Sequence, residues 1–93
     1  MIVGVLTVDV AIFGAQSLKD KRRVIAGLKD RVRRRFNVSV TEVDYLDRPQ
    51  RCRLGVALVC TESRVIHAQL DKLVELVRHT NGLSLLDYSR ELL

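Results

Sequence analysis

Residues 2–20 read IVGVLTVDVAIFGAQSLKD and contain the transition that decides the fold. Apolar side chains alternate from Ile2 to Phe13, which is the two-residue period of a β-strand. Both faces of that strand are largely apolar, so we expect it to be central in a sheet. FGAQ then breaks the alternation. Ser17 followed three residues later by Asp20 resembles a capping box, with Asp in place of Glu, and predicts that a helix begins there.

The helix is predicted to run to about Phe36, because an apolar stripe at three-, four- and seven-residue spacing continues to that point. NVSVTEVDYL returns to strand alternation. The parity of Val38 and Val40 is opposite to that of Val43, which predicts a bulge near Thr41.

The second half of the chain repeats this order. DRPQR is a turn, and CRLGVALVC is a third, central strand. A second helix is predicted to be capped by Thr61 or Ser63 and to end at Asn81 and Gly82 as a left-handed C-cap. LSLLDYSREL is the last strand. The second helix has an apolar stripe at intervals of four, three and four, formed by Ile66, Leu70, Leu73 and Val77.

The order strand, helix, strand, strand, helix, strand predicts an α+β, ferredoxin-like fold in which residues 1–93 form one domain. Right-handed crossovers place strands one and three in the middle of an antiparallel sheet, with both helices on one face. The more apolar side of strand one packs against the helices, because burying it removes more apolar area from water. The other face stays open and predicts a homodimer. That open face carries Val3, Val5, Thr7, Asp9 and Ala11, with some of Ala57 and Val59.

Composition limits the classes of function. The chain has 93 residues, of which 47% are hydrophobic, and its apolar runs are far shorter than a membrane span. The N-terminal residues indicate a strand and not a secretion signal, so we expect a cytoplasmic protein without a membrane partner.

Cys52 and Cys60 are separated by ~26 Å along one strand and cannot pair. His67 and His79 lie ~18 Å apart along one helix, so we predict neither a metal nor another cofactor.

The positive charge is concentrated in the first helix. Residues 17–36 carry nine cations against Asp20 and Asp30, a net charge of +7, whereas the whole chain is +5, which leaves −2 elsewhere. Cations in the last turns interact favourably with the helix dipole, whereas each exposed cation in the first turns destabilises the helix by about 0.3–1 kcal/mol. We therefore expect the basic first turns to face an anion, together with the unpaired N–H groups of the helix start.

Placing residues at 100° intervals gives a candidate anion or RNA surface. Lys21 falls on the apolar stripe, and we expect its stem to cover apolar surface while its ammonium reaches solvent. The alternative, a merely solvated basic face or an adaptation in composition, stays open. The candidate residues are Lys19, Lys21, Arg22, Arg23, Arg33 and Arg34 on the helix and Arg48 and Arg51 in the loop before strand three.

Asp9 is the one carboxylate inside strand one. It is interpreted as an ion-pair partner of Arg53, the alternative being a lone polar spot on the open face. A single carboxylate without a partner is a poor basis for acid–base catalysis, so we predict no catalytic residue.

SLKDKR at residues 17–22, FNVSVTEVD at residues 36–44, and the Gln50-Arg51 pair followed by Leu54-Gly55 resemble the YlxP-like family of bacterial proteins of unknown function. The resemblance spans almost the whole chain. It implies a ferredoxin-like fold and a gene neighbourhood shared with translation initiation and ribosome-maturation factors, but no established activity. Family members often carry an aromatic residue before the Gln-Arg pair, where this chain has Pro49, so the resemblance does not imply a stacking role for that loop.

Three classes of function follow. The first is a non-enzymatic RNA- or ribosome-associated module that contacts phosphates through the first helix, since strands one and three carry no aromatic residue for base stacking. The second is a structural or regulatory homodimer that associates through its open face, with a small anion at the helix start. The third is an enzyme, which is disfavoured because FGAQSLKDKR lacks the glycine-rich phosphate loop of acylphosphatases.

Overall fold

A computed structural model describes all residues from Met1 to Leu93. Six elements follow one another in the predicted order. They are β1 (Ile2–Ile12), α1 (Leu18–Arg35), β2 (Ser39–Asp44), β3 (Arg51–Cys60), α2 (Ser63–Arg78) and β4 (Leu83–Leu92).

The four strands form one antiparallel sheet in the order β2-β3-β1-β4. β1 and β3 are therefore central, and the predicted ferredoxin-like fold is confirmed. Both helices cover the face that carries the more apolar side of β1, as burial of apolar area requires. The inward residues of β1 are Leu6, Val8, Val10 and Ile12, each at most 2% exposed.

The core lies between this sheet face and the two helices. α1 contributes Ile25, Leu28 and Val32, and α2 contributes the predicted stripe of Ile66, Leu70, Leu73 and Val77 together with Val74 and Leu76. α2 approaches the sheet closely at Gly4. A Cβ atom at this position would clash with Cγ2 of Ile66, so the close approach requires glycine.

The predicted start of α1 is confirmed. Ser17 is the N-cap, and its hydroxyl accepts a hydrogen bond from the backbone N–H of Asp20 at 3.1 Å. The Asp20 carboxylate reaches back to the N–H of Gln16 at 3.2 Å. The Ser17 hydroxyl thus satisfies one of the N–H groups that a helix start leaves without intrahelical partners, and Asp20 binds the residue before the N-cap instead of the N-cap itself.

Both predicted ends of α2 are wrong. Its N-cap is Glu62, without a side-chain capping bond, and not Thr61 or Ser63. The helix ends at Arg78, three residues before Asn81, because the backbone leaves helical geometry at His79. Gly82 has a positive φ of 84°, as a C-cap glycine would, but it lies in the turn that leads into β4.

The bulge in β2 lies at Val43 and not near Thr41, since the register with β3 shifts between Glu42 and Asp44. The side chain of Glu42 points towards the core, as that of Val40 does, because the buried ammonium of Lys21 pairs with its carboxylate. The extra residue, Val43, turns to the open face and covers Gly55, where a Cβ atom would meet its side chain at 2.9 Å. No helix is long and apolar enough to cross a membrane.

Candidate polyanion-binding surfaces

Lys21 does not reach solvent as predicted. Its side chain is 1% exposed, and its ammonium lies 2.5 Å from Oε2 of Glu42 and donates a 2.6 Å hydrogen bond to the carbonyl of Tyr45. The expectation of a solvent-facing ammonium is wrong because α1 packs against the end of β2, which offers two acceptors inside the protein. Lys21 therefore acts within the fold and is not available to an external anion.

The rest of the first turns of α1 is exposed. Lys19, Arg22 and Arg23 have no carboxylate within ion-pair distance, and Asp20 is occupied in capping the helix. With Lys21 buried, the predicted anion site at the helix start loses one of its cations. What remains is a row of unpaired cations on the side of α1 that faces away from the sheet.

That row continues to the end of α1. Arg34 is exposed and unpaired, whereas Arg33 donates to the carbonyl of Val40 at 3.1 Å and lies 3.8 Å from Asp30. From Lys19 to Arg34 the helix rises by about 22 Å. We call this surface the helical basic face; it consists of Lys19, Arg22, Arg23, Arg33 and Arg34.

A second cationic site surrounds one aromatic ring just after the C-terminal end of β2. The guanidinium carbons of Arg51, Arg53 and Arg48 lie 4.7, 5.3 and 5.6 Å from the centroid of the Tyr45 ring. Each distance is within the range of a cation–π contact. We call these four residues the Tyr45 cluster.

The backbone of Tyr45 is held in an unusual conformation. Its φ is +61°, in the left-handed region that a bulky residue rarely adopts. Two contacts fix it: the Lys21 ammonium on its carbonyl, and Oδ1 of Asp44, which accepts from its N–H at 2.7 Å. Strain of this kind costs about 1–3 kcal/mol and persists only where neighbours impose it.

Arg53 is held by two acids. Its Nε and Nη2 donate to the two carboxylate oxygens of Asp9 at 2.6 and 3.0 Å, and Nη1 lies 3.2 Å from Asp44. The predicted Asp9–Arg53 pair is therefore confirmed. The hydrogen bond from Arg53 holds the pKa of Asp9 below its usual value of 3.8, and the same bond raises the pKa of Arg53.

The other two arginines of the cluster have no acidic partner. Arg48 is exposed, and Arg51 is half-buried with an Nε that is fully buried and finds no acceptor within the protein. A buried donor without an acceptor costs about 1–3 kcal/mol and calls for an explanation. The cluster thus combines one guanidinium that is neutralised by acids with two that have no acidic partner.

The predicted candidate residues do not form one surface. Cys52 and Leu54 of β3 point into the core, so Arg51 and Arg53 point to the open face of the sheet. α1 covers the other face. The structure therefore separates the helical basic face from Arg48 and Arg51, which the sequence grouped together.

Sequence reasoning missed the role of Tyr45. The available signal is its position after the parity change of β2, followed by arginines at residues 48, 51 and 53. The spacing alone does not predict a common ring contact, because it depends on the bulge at Val43 and on the turn that follows.

Cys52 borders the buried ion pair. Burial first, and then the neighbouring Glu42 carboxylate, raise the pKa of its thiol to about 12. Both cysteines are free, and Cys52 is fully buried. At neutral pH its thiol is protonated, so it serves as a packing residue and not as a nucleophile.

Comparison with known proteins gives a family and a fold. A family model described as "Protein of unknown function (DUF503)" matches residues 3–90. The chain is 41% identical over 63 residues to the "Uncharacterized protein YlxP" of Bacillus subtilis (strain 168), covering 68% of this chain and 67% of that protein.

Two de novo designed proteins have a similar structure. Foldit4 has a TM-score of 0.55 and 12% identity, covering 98% of this chain and 96% of its own. A design with a ferredoxin fold, LFR1 1, has the same TM-score and identity, covering 99% of this chain and 85% of its own. At this identity the likeness shows the fold alone.

Proposed function

This chain belongs to the DUF503 family of proteins of unknown function, and we propose that it is a non-enzymatic module that binds the phosphate backbone of RNA. Contact is made through the helical basic face. The binding is tolerant of sequence, because phosphates position a protein on a nucleic acid without identifying its bases.

One observation carries this proposal: Lys19, Arg22, Arg23 and Arg34 are exposed on one side of α1 without a carboxylate partner, while α1 holds more positive charge than the whole chain. Cations at a helix start oppose the dipole, so they reduce the stability of the free protein. A bound polyanion offsets that cost and gains from each neutralised phosphate.

Binding, and not catalysis, also agrees with the titratable groups of the sheet and core. The Asp9 carboxylate is tied to Arg53, which keeps its pKa low and makes it a poor proton donor near neutral pH. The Cys52 thiol is buried and protonated. Each of these groups is explained by packing or by an ion pair within the fold.

The test compares two variants of equal charge. Lys19→Gln/Arg22→Gln/Arg23→Gln removes the first part of the helical basic face, and Arg64→Gln/Lys72→Gln/Arg78→Gln removes three exposed cations of α2. Fluorescence anisotropy with a labelled RNA hairpin measures the affinity at fixed salt. We expect the α1 variant to lose at least tenfold in affinity and the α2 variant to lose clearly less. Equal losses contradict the proposed surface, because net charge alone then explains the binding.

A second candidate function is a homodimer that associates through the open sheet face, and a specific observation favours it. Val59 and Val43 are 63% and 49% exposed on this face, beside the half-buried Val3, Val5 and Ala57. A second copy of the chain presents the same apolar patch and can cover it symmetrically. Sedimentation equilibrium should show a dimer that Val59→Glu dissociates, whereas a monomeric wild type at high concentration rules this function out.

A further inference from the structure

A cavity of about 370 Å³ adjoins the Tyr45 cluster at the end of β1 and the start of β3. Arg51 belongs to both. The cavity is lined by Ala11, Ile12, Phe13, Gly14, Gln50 and Arg51. Its volume lies within the range of sites that hold a small organic ligand.

The lining offers a flat apolar surface next to a donor. The ring of Phe13 is 66% exposed just beyond the end of β1, although an aromatic side chain is normally buried for its large apolar area. Gly14, with a φ of +75°, has open space where a side chain would project. The amide of Gln50 is fixed by its hydrogen bond to the carbonyl of Ala15 at 3.2 Å.

The donors beside this surface suit a phosphate. Arg48 and Arg51 form no ion pair within the chain, Arg51 lines the cavity, and both guanidiniums lie at the Tyr45 ring. A guanidinium offers parallel N–H groups that match two phosphate oxygens. Lys21, Asp44 and Asp9 hold Tyr45 and Arg53 in place, so the site is organised before any ligand arrives.

We infer that the Tyr45 cluster and its cavity bind one unstacked nucleotide of single-stranded RNA, with the base against Phe13 and the phosphate between Arg48 and Arg51. Recognition of single-stranded RNA relies on this combination of an aromatic or guanidinium plane with backbone contacts. The expected absence of stacking residues concerned strands one and three and the loop around Pro49, whereas Phe13 lies just beyond the end of β1.

This inference deepens the proposed function and rests on it, because the nucleotide belongs to the RNA that the helical basic face holds. The two sites differ in the shape of RNA they favour. The helical basic face contacts phosphates of any RNA, whereas the Tyr45 site requires a base that is free of its pair. The preference for single strands is therefore the property that belongs to the Tyr45 site alone.

The experiment measures anisotropy with three probes: a single-stranded RNA decamer, a fully paired RNA hairpin, and adenosine 5′-monophosphate as competitor. The variants are Arg51→Gln, Arg51→Lys, and Tyr45→Asn, the last because Asn tolerates a positive φ. We expect Arg51→Gln and Tyr45→Asn to weaken decamer binding by roughly tenfold and hairpin binding by less than twofold. Arg51→Lys restores part of the affinity, since it keeps the charge but not the planar donor pair. Thermal unfolding of each variant verifies that it is folded.

The outcomes separate this inference from the proposed function. If Arg51→Gln leaves the preference for the decamer over the hairpin unchanged, the nucleotide site is refuted, whatever the helix variant shows. If the α1 variant binds the hairpin like wild type while Arg51→Gln loses the decamer, the nucleotide site stands and the helical basic face does not. If adenosine 5′-monophosphate displaces the labelled decamer as effectively as the unlabelled decamer does, the ligand is a free nucleotide, and the assignment to RNA is overturned.

Discussion

The helical basic face and the Tyr45 cluster carry cations of the same kind under opposite physical conditions. On α1, Lys19, Arg22 and Arg23 are exposed, and no carboxylate of the chain lies within ion-pair distance of them. In the cluster, Arg53 is fixed by Asp9, and the backbone of Tyr45, whose ring contacts all three guanidiniums, is held by Lys21 and Asp44. The first surface supplies long-range attraction that salt screens, and the second supplies defined geometry.

Lys21 connects the two regions. It belongs by sequence to the same basic stretch as Lys19 and Arg22, yet it lies on the core side of α1 and bonds to the carbonyl of Tyr45. One turn of helix therefore contains both a cation that holds the fold and cations that lower its stability. The role of a cation at a helix start therefore depends on whether its residue lies on the core side or the solvent side of the helix.

The largest expected effect comes from removing this connection. Lys21→Met leaves the inward carboxylate of Glu42 without its buried partner, and breaking a buried pair on one side costs about 3–5 kcal/mol. The matched variant Lys19→Met, on the exposed side of the same turn, should change the free energy of unfolding by less than about 0.5 kcal/mol. Urea unfolding measures both values.

The double variant Lys21→Met/Glu42→Met serves as the control for Lys21. It removes both charges and should recover much of the lost stability, because a buried pair is often replaced by apolar residues at little cost. Equal stability of Lys21→Met and Lys19→Met is the result that breaks the distinction between the two lysines.

A smaller effect is expected for Asp9. Asp9→Asn weakens the bond to Arg53 and should lower stability near neutral pH by about 1–3 kcal/mol. The pKa of Asp9 is lowered in the folded state, so its contribution is present in full above 3.8 and is lost as the pH falls through the folded value. The difference between wild type and Asp9→Asn should therefore shrink in acid.

Arg53→Gln provides the comparison for this pH dependence. It removes the partner of Asp9 and leaves the Asp9 carboxylate in place. The gap between wild type and Arg53→Gln should also shrink in acid, because the bond that lowers the pKa of Asp9 is then absent. A constant gap between wild type and Asp9→Asn from neutral pH to well below 3.8 contradicts the role given to the Arg53 bond.

The smallest effect on stability has the opposite sign. Lys19→Gln/Arg22→Gln removes two cations that oppose the helix dipole, so the free protein should become more stable by up to about 1 kcal/mol. Chemical unfolding at low salt measures the gain, which should decrease at high salt. A clear loss of stability shows instead that these side chains make structural contacts, as Lys21 does.

Local patterns were sufficient to predict the fold. The alternation of β1, the cap at Ser17 and Asp20, and the stripe of α2 each depend on residues close in sequence, and all three are confirmed. The Asp9–Arg53 pair was also predictable, because a carboxylate in a central strand needs a partner and Arg53 was a suitable cation in the neighbouring central strand. The ends of α2 were not, since Glu62 caps without a side-chain bond.

The candidate site was predictable only in part. Angular spacing correctly put Lys19, Arg22 and Arg23 on the solvent side of α1 and Lys21 on the apolar side. It could not show that Glu42 and the Tyr45 carbonyl would contact the Lys21 ammonium. These partners follow Lys21 by 21 and 24 positions in the sequence, and their placement depends on the bulge of β2. The gathering of Arg48, Arg51 and Arg53 on Tyr45 depends on the same bulge.

The salt dependence of RNA binding tests the central claim most directly, namely that the exposed cations of α1 neutralise phosphates while Lys21 does not. The slope of log affinity against log salt falls by about 0.7–0.9 for each phosphate contact removed. For Lys19→Gln/Arg22→Gln/Arg23→Gln we predict a slope smaller than that of wild type by about 2 to 3. An unchanged slope for this variant shows that these side chains contact no phosphate and contradicts the account.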